Sequence, residues 1–306
     1  MESTFEKRCQ NVEPPNELSF MTASISTVFM VTNIPGNILI FLAVVLDPNK
    51  NLRIPFNWLI VNLSAADFIV GIITEPLSVY YHIKEGLDSQ GSEEIIVIHM
   101  AYFISCTASI FSLTSLAVER YLAVRKPNTY RNKVTNQRIL VTIVTIWLIS
   151  LSLPNIYFSV GFTEYAFIFA NTSLFVAVIM ICLTYALMKR KLRCRDSTKE
   201  NYEMSPNEGQ SSVSVNCMVT KKQLLEAKIT EMFLIVLIAL LCCYGPSTVM
   251  IYLVNFCEDC SCTTLHWFRD IHILFALMNS SVNFFCYALR SSRFRSAFVK
   301  LFRMNY

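Results

Sequence analysis

Val118-Glu119-Arg120-Tyr121 closes an apolar segment that opens at Ile95, and a basic stretch follows it. An acidic–Arg–aromatic triplet at the end of a membrane-length segment can hold a switch. The guanidinium stays charged at any ordinary pH and can exchange one carboxylate partner for another. The simpler reading is that Arg120 snorkels its charge to a membrane surface. The rest of the chain decides between them.

Of the 306 residues, 54% are hydrophobic and only 16% charged, whereas a soluble domain carries about 25% charged residues. The apolar residues fall into runs long enough to cross about 30 Å of hydrocarbon at about 1.5 Å per residue. The predicted fold is an all-α bundle of seven membrane helices: Phe20–Leu46, Phe56–Tyr81, Ile95–Val118, Ile139–Val160, Tyr165–Met188, Ala227–Val254 and Phe268–Leu289. Asn33, Asn37, Asn279 and Asn283 interrupt the first and last. Buried helices of a soluble protein are the alternative, and runs of this length argue against them.

With the N-terminus outside, the outer segments hold only Lys7, Arg8, Lys84 and Arg269, and the other 22 of the 26 basic residues lie inside. That is the asymmetry of the positive-inside rule. Twelve acidic residues, Glu85 and Asp270 among them, are assigned to the outer side, a net of −8 there that would draw cations to the mouth. The expected organisation is a tail at 1–19, a seven-helix domain at 20–289 and a membrane-surface segment at 290–306. Within the domain, 189–226 is an inner loop whose stretch from Lys189 to Lys222 reads as a mobile polar linker. The first 19 residues lack the basic and apolar regions of a cleavable signal, so the first span is expected to act as its own anchor. Arg290–Arg303 puts Phe294, Phe298, Leu301 and Phe302 on one face among basic residues, the pattern of a short helix lying on an anionic leaflet.

Polar residues inside the spans carry the most information, because a charge at mid-bilayer costs roughly 2.5–3.5 kcal/mol even on lenient scales. Gly36-Asn37, Asp67 in Asn62-Leu63-Ser64-Ala65-Ala66-Asp67, Glu119-Arg120-Tyr121, Trp147, Cys243-Tyr244-Gly245-Pro246 and Asn283-Phe284-Phe285-Cys286-Tyr287 stand in order, one set to each of six spans. Together they resemble the landmark motifs of the rhodopsin-like (class A) G-protein-coupled receptors. Tyr244 stands for the usual sixth-helix Trp and Phe284 for the seventh-helix Pro.

Other departures point to a subgroup. The third-helix position for the usual loop disulfide is Ile95, the second loop (about Gly161 to Glu164) has no Cys, and the fifth span lacks proline. With Tyr287-Ala288-Leu289-Arg290-Ser291 and Cys257-Glu258-Asp259-Cys260-Ser261-Cys262, this is most similar to the melanocortin receptors, in the branch with the adenosine and cannabinoid receptors. An amine receptor has an Asp where Tyr102 stands, and an opsin has a retinal Lys where Leu277 stands. The resemblance therefore implies neither.

The resemblance implies three sites and no catalytic residue. Arg120 would pair with Glu119 and, across helices, with Glu226, supported by Tyr121, Tyr185 and Tyr287; opening the pair would admit a heterotrimeric G protein. Asp67, Asn37, Ser109, Asn279, Ser280 and Asn283 would hold a sodium ion in the inactive state. Hard oxygen donors suit such an ion, although a protonated Asp67 in a neutral network is the alternative. His99, Tyr102, Phe103 and Cys106 recur at i, i+3, i+4 and i+7 on one helix face. With Glu75 on the wall and Tyr244 as floor they would line a ligand pocket, or simply pack. The aspartates of a calcium-dependent melanocortin site are replaced by Ile95 and His99.

Cys9, Cys257, Cys260 and Cys262 face the oxidising side and allow three connectivities. The resemblance implies Cys257–Cys260 and Cys9–Cys262. The expected protein is thus a multi-pass plasma-membrane receptor for an extracellular ligand, with no nucleic-acid partner. A transporter or channel is the alternative. It would explain a buried Asp67 but not the Arg120 triplet, and no catalytic constellation of an intramembrane enzyme is visible.

Overall fold

The computed structural model describes residues 5, 9, 12–87, 95–125, 134–203 and 210–303, the side chains of 95, 124, 125, 163 and 187–230 excepted. Among the described residues the chain is all helical. Seven helices are long and apolar enough to cross a membrane: Asn16–Leu46, Pro55–Gly86, Ile96–Ala123, Asn136–Val160, Glu164–Ala186, Glu231–Phe256 and Cys262–Arg290. They are called the first to seventh spans. Their burial is inverted relative to a water-soluble bundle: Val28, Val31, Val141, Leu148, Phe175 and Val249 lie more than half exposed, while Ser26, Asn33, Asn37, Asp67, Ser105 and Ser112 are buried. Lipid solvates the outer apolar face, and polar side chains, with no water in the hydrocarbon, must find partners on neighbouring helices.

Two such partnerships fix the packing. Trp147 Nε1 donates to Asn62 Oδ1 at 2.9 Å, and Asn62 Nδ2 donates to Ser112 Oγ at 2.7 Å, tying the second, third and fourth spans. Between the first and seventh spans the contact is steric. A Cβ at Gly36 would meet Phe284 Cγ at 2.7 Å, so the Phe in place of the usual seventh-helix Pro is seated on a glycine.

The second span is not a uniform α-helix. Pro55–Ile69 passes through a π-helical turn, Val70–Thr74, into Glu75–Gly86. Pro76 has no N–H to offer the preceding turn, and the Glu75 N–H reaches back five residues to Val70 O. At about 100° per residue, eight α-helical steps from Asp67 would turn Glu75 roughly 80° away. The extra π residue makes the interval behave as about seven, two turns, and returns Glu75 to the face of Asp67.

Gly161, at φ +84°, is the sole residue between the helix ending at Val160 and the one beginning at Phe162. The second loop is thus as short as its sequence suggests. Cys9 is bonded to Cys262 and Cys257 to Cys260, with Cα separations of 5.3 and 5.5 Å. These are the pairs the resemblance implied. The tail is held further where His266 Nε2 donates to Val12 O at 2.7 Å and Phe5 sits edge-on to the His266 ring.

Several boundaries differ from expectation. The fifth helix continues to Glu203 and the sixth begins at Gln210, so most of the segment expected as a mobile linker is helical. Its Lys, Arg, Leu and Glu residues are good helix formers, and Pro206 and Gly209 fall between the two helices. The seventh helix starts at Cys262 rather than Phe268. Arg269 and Asp270, counted above with the outer charges, lie inside this helix, where Arg269 Nε is 2.7 Å from Asp270 Oδ1. Glu85 and Asp270 are therefore partnered, and Arg269 offsets one of their two charges.

At the opposite end Asp47, in the left-handed region at φ 43°, ends the first helix. Its carboxylate accepts from the N–H groups of Asn51 and Leu52 at 2.9 and 3.0 Å and of Arg53 at 3.3 Å. Burial raises the Asp47 pKa, but those three bonds and the Arg53 charge outweigh it and leave it below the ordinary 3.8. The C-terminal helix Ser292–Arg303 buries Phe294 and Phe298 against the bundle, leaves Phe302 exposed, and is pinned by Lys300 Nζ donating to Pro48 O at 2.6 Å.

Two outcomes follow. Gly36→Ala drives a methyl into Phe284 and should cost about 1–3 kcal/mol, with Phe284→Leu in the same chain restoring most of the loss. Melting of the detergent-solubilised protein measures both. A depressed carboxylate stabilises the fold above its unfolded pKa, and that contribution is lost as pH falls through the folded value. The Asp47→Asn deficit in melting temperature should therefore be full at neutral pH and shrink as pH falls below 3.8.

Candidate functional site

The Arg120 end of the bundle holds a closed ion pair. Arg120 Nε and Nη2 donate to the two Glu119 oxygens at 2.6 and 2.7 Å, both side chains are buried, and the guanidinium lies 4.1 Å from the Phe56 ring centroid. Bidentate geometry and an aromatic face hold the cation in place, so Arg120 does not snorkel outward. Tyr121 lies half-buried beside this pair. The Glu226 side chain lies outside the described residues, so its expected pairing with Arg120 stays a proposal. Tyr287 is buried and stacks with Phe294 at 5.7 Å. Tyr185 is 55% exposed on the outer face of the fifth span and does not join the cluster. A link that the sequence reading missed is the ion pair between Glu231 and Arg290, sixth span to seventh.

Around Asp67 the expected residues converge unequally. The carboxylate is fully buried and accepts from Ser109 Oγ at 3.1 Å and Asn283 Nδ2 at 2.7 Å, with the Ser280 hydroxyl directed at it. Asn279 is buried. Asn37 does not bond to Asp67, contrary to expectation; its Nδ2 donates to Asn33 and to Ser280 O at 3.4 Å, and its Oδ1 has no partner. Asn33 makes the connection instead, donating to Asp67 O at 3.0 Å and Glu75 Oε1 at 3.1 Å. Gly71 in the π turn permits this, since a Cβ there would meet Ile34 at 2.9 Å and Asn33 at 3.1 Å. The available signal was the i, i+4 pair Asn33 and Asn37 on one face of an apolar helix.

The expected ligand pocket divides in two. His99 Nδ1 is 3.2 Å from Tyr157 OH and its ring stacks on Phe162 at 3.9 Å, while Phe103 packs against Tyr165 and Phe169 at 4.6 and 5.5 Å. These two form an aromatic cluster with the fourth and fifth spans. Tyr102 and Cys106 turn to the bundle centre, where the thiol lies against Tyr102 and Tyr244. The four residues cover a wider arc than one pocket wall, because i, i+4 pairs on an α-helix drift by about 40°. Glu75 contacts the first span through Asn33 and not the Tyr244 floor, its Oε2 being unpartnered. His272, missed in the sequence, joins the seventh span to Ser247 Oγ at 2.7 Å, next to the sixth-helix Pro246.

Residues 36–165 match the family described as 7 transmembrane receptor (rhodopsin family). That match covers less than half of the chain, and over it the chain is similar to the rhodopsin-type receptors. The chain is 27% identical over 321 residues to the adenosine receptor A2a of Canis lupus familiaris, covering 94% of this chain and 73% of that one. To the histamine H2 receptor of the same species it is 25% identical over 299 residues, 90% and 78% of the two chains. Dopamine receptor 4 of Caenorhabditis elegans is 37% identical over 125 residues, 40% of this chain. The chain spans only 24% of that receptor's length and 28% of an octopamine receptor's. Adenosine and amine receptors thus stand side by side among the relatives, and the similarity does not single out the melanocortin-like subgroup. All these relatives are receptors, which favours that reading over a transporter or channel.

Proposed function

We propose that this receptor stands in the plasma membrane with its disulfide-bearing end outside, binds an extracellular ligand there, and activates a heterotrimeric G protein at the Arg120 end. The observation that carries this reading is the buried, bidentate Arg120–Glu119 pair stacked on Phe56. A charge held so tightly in a dry setting has a defined closed state, and parting it from Glu119 requires a new partner. A G protein inserted between the helices supplies one, with Glu226 as the second inner partner in the closed state. Ligand binding acts through its differential affinity for the two arrangements.

Sodium at Asp67 deepens the same reading. The buried carboxylate, the Ser109 and Ser280 hydroxyls and the orphaned Asn37 Oδ1 are hard oxygen donors and fit a small cation. The ion would neutralise Asp67 and favour the closed bundle. The ligand side rests on one orphaned atom facing the interior, Glu75 Oε2. A small ligand with a hydrogen-bond donor satisfies it. Tyr102 in place of an aspartate argues against the ordinary amine-recognition mode despite the amine-receptor relatives, and Leu277 argues against covalent retinal.

In membranes at matched receptor density, Arg120→Ala should reduce ligand-free nucleotide exchange on added G protein to background, and Glu226→Ala should raise it. Wild-type exchange in both variants would remove the switch assignment. Replacing choline by sodium at constant ionic strength should lower wild-type exchange and leave Asp67→Asn unaffected. An equal sodium response in the Asn variant counts against the ion site.

A further inference from the structure

At the disulfide end, separate from Asp67, the second and seventh spans bring three metal-capable side chains together. One ligand atom each from His82, Glu85 and Asp270 lies within 4.8 Å of the others. His82 is 3% exposed and Asp270 is fully buried. The imidazole has a defined tautomer. His82 Nδ1 lies 2.7 Å from the Ser78 carbonyl, which can only accept, so Nδ1 carries the hydrogen. Nε2 is then the nitrogen left to ligate; it stands 3.7 Å from Asp270 Oδ2, beyond hydrogen-bond distance. On the neutral ring its lone pair faces a buried carboxylate, a repulsion that a proton or a metal cation between them removes.

The carboxylates are already oriented. Ser19 Oγ donates to Glu85 Oε2 at 2.7 Å and Thr22 Oγ1 to Asp270 Oδ2 at 3.0 Å, both from the first span. Hydroxyls behind carboxylates and a carbonyl behind a histidine are the outer partners that metal ligands ordinarily have. The cation at the cluster is Arg269, whose Nη2 lies 3.0 Å from Glu85 Oε1 and whose Nε lies 2.7 Å from Asp270 Oδ1. One arginine against two carboxylates leaves a net negative charge, and it does not serve His82 Nε2. Arg269 and Glu85 are 18% and 12% exposed, so the guanidinium has a path to solvent.

We propose that His82, Glu85 and Asp270 form a zinc site whose metal displaces Arg269. One imidazole nitrogen and two carboxylate oxygens, with water in the fourth position, suit tetrahedral zinc at about 2.0–2.2 Å. The ligand atoms would close to about 3.3 Å of one another, which rotation of the Glu85 and Asp270 side chains provides. Magnesium and calcium, which prefer six or more oxygens, fit poorly. The bound ion would clamp the second span to the seventh beside the Cys9–Cys262 bridge and release Arg269 toward the mouth. The site stands on this geometry alone and does not depend on the proposed coupling.

The test is thermal melting of the purified full-length receptor in metal-free buffer, with zinc, magnesium or calcium chloride added, alongside competition with a fluorescent zinc chelator. Zinc should raise the wild-type melting temperature in a saturable way while magnesium and calcium do not. His82→Gln and, separately, Glu85→Gln should weaken zinc affinity by about tenfold or more. Arg269→Gln removes the competing cation, so it should lower the metal-free melting temperature and tighten zinc binding. No zinc-dependent stabilisation of the wild type, or one that persists undiminished in His82→Gln, overturns the site. Unchanged or weaker affinity in Arg269→Gln overturns the displacement of Arg269, and if that variant does not fold, wild type and Glu85→Gln still decide the site.

Discussion

The hydrogen bond from Asn283 Nδ2 to Asp67 Oδ2, 2.7 Å long and wholly buried, joins the second and seventh spans at the heart of the bundle. Much of the interior is arranged to make that carboxylate tolerable. Ser109 brings the third span to the carboxylate, Asn33 bonds the Asp67 backbone carbonyl from the first, and the glycines at 36 and 71 let the helices approach closely enough for these short side chains to reach. In water each such bond would contribute about 1 kcal/mol, because solvent offers a substitute. In hydrocarbon there is no substitute within the bundle, so the geometry of one residue constrains four helices.

The two ends are built differently. The disulfide end is covalently fixed, with the tail bonded to the seventh helix and a polar cluster linking three spans. The Arg120 end is held by charge and aromatic stacking, with the C-terminal helix laid across Tyr287 and Phe284. Ion pairs and ring contacts can be exchanged for others, whereas a covalent bridge cannot.

The seven spans were legible in the sequence because membrane thickness sets a length that few other structures share, and no local alternative competes with a run of twenty apolar residues. Asp67, Arg120 and Trp147 were legible for the same reason, as polar groups where polarity is costly. What stayed hidden was set by pairs of helices. Nothing local marks Asn33 rather than Asn37 as the residue that reaches Asp67, since the choice depends on the π turn at Val70–Thr74 and on the missing Cβ of Gly71. Glu85 read as exposed outer charge because it meets Arg269 only after the second and seventh helices come together. The extended inner helices were misjudged from polarity alone, which separates membrane from water but does not separate helix from loop.

Gly161 gives the bundle a lever. With a single residue between them, the fourth and fifth helices cannot part at that end, yet a positive-φ glycine lets one pivot against the other. The helix beginning at Phe162 has 42 residues, about 63 Å at about 1.5 Å per residue. A tilt of about 5° at the fulcrum would sweep its far tip through roughly 5 Å, one helical turn. A small tilt beside the aromatic cluster at the fulcrum therefore translates into a large displacement at the far end without any break in the helix.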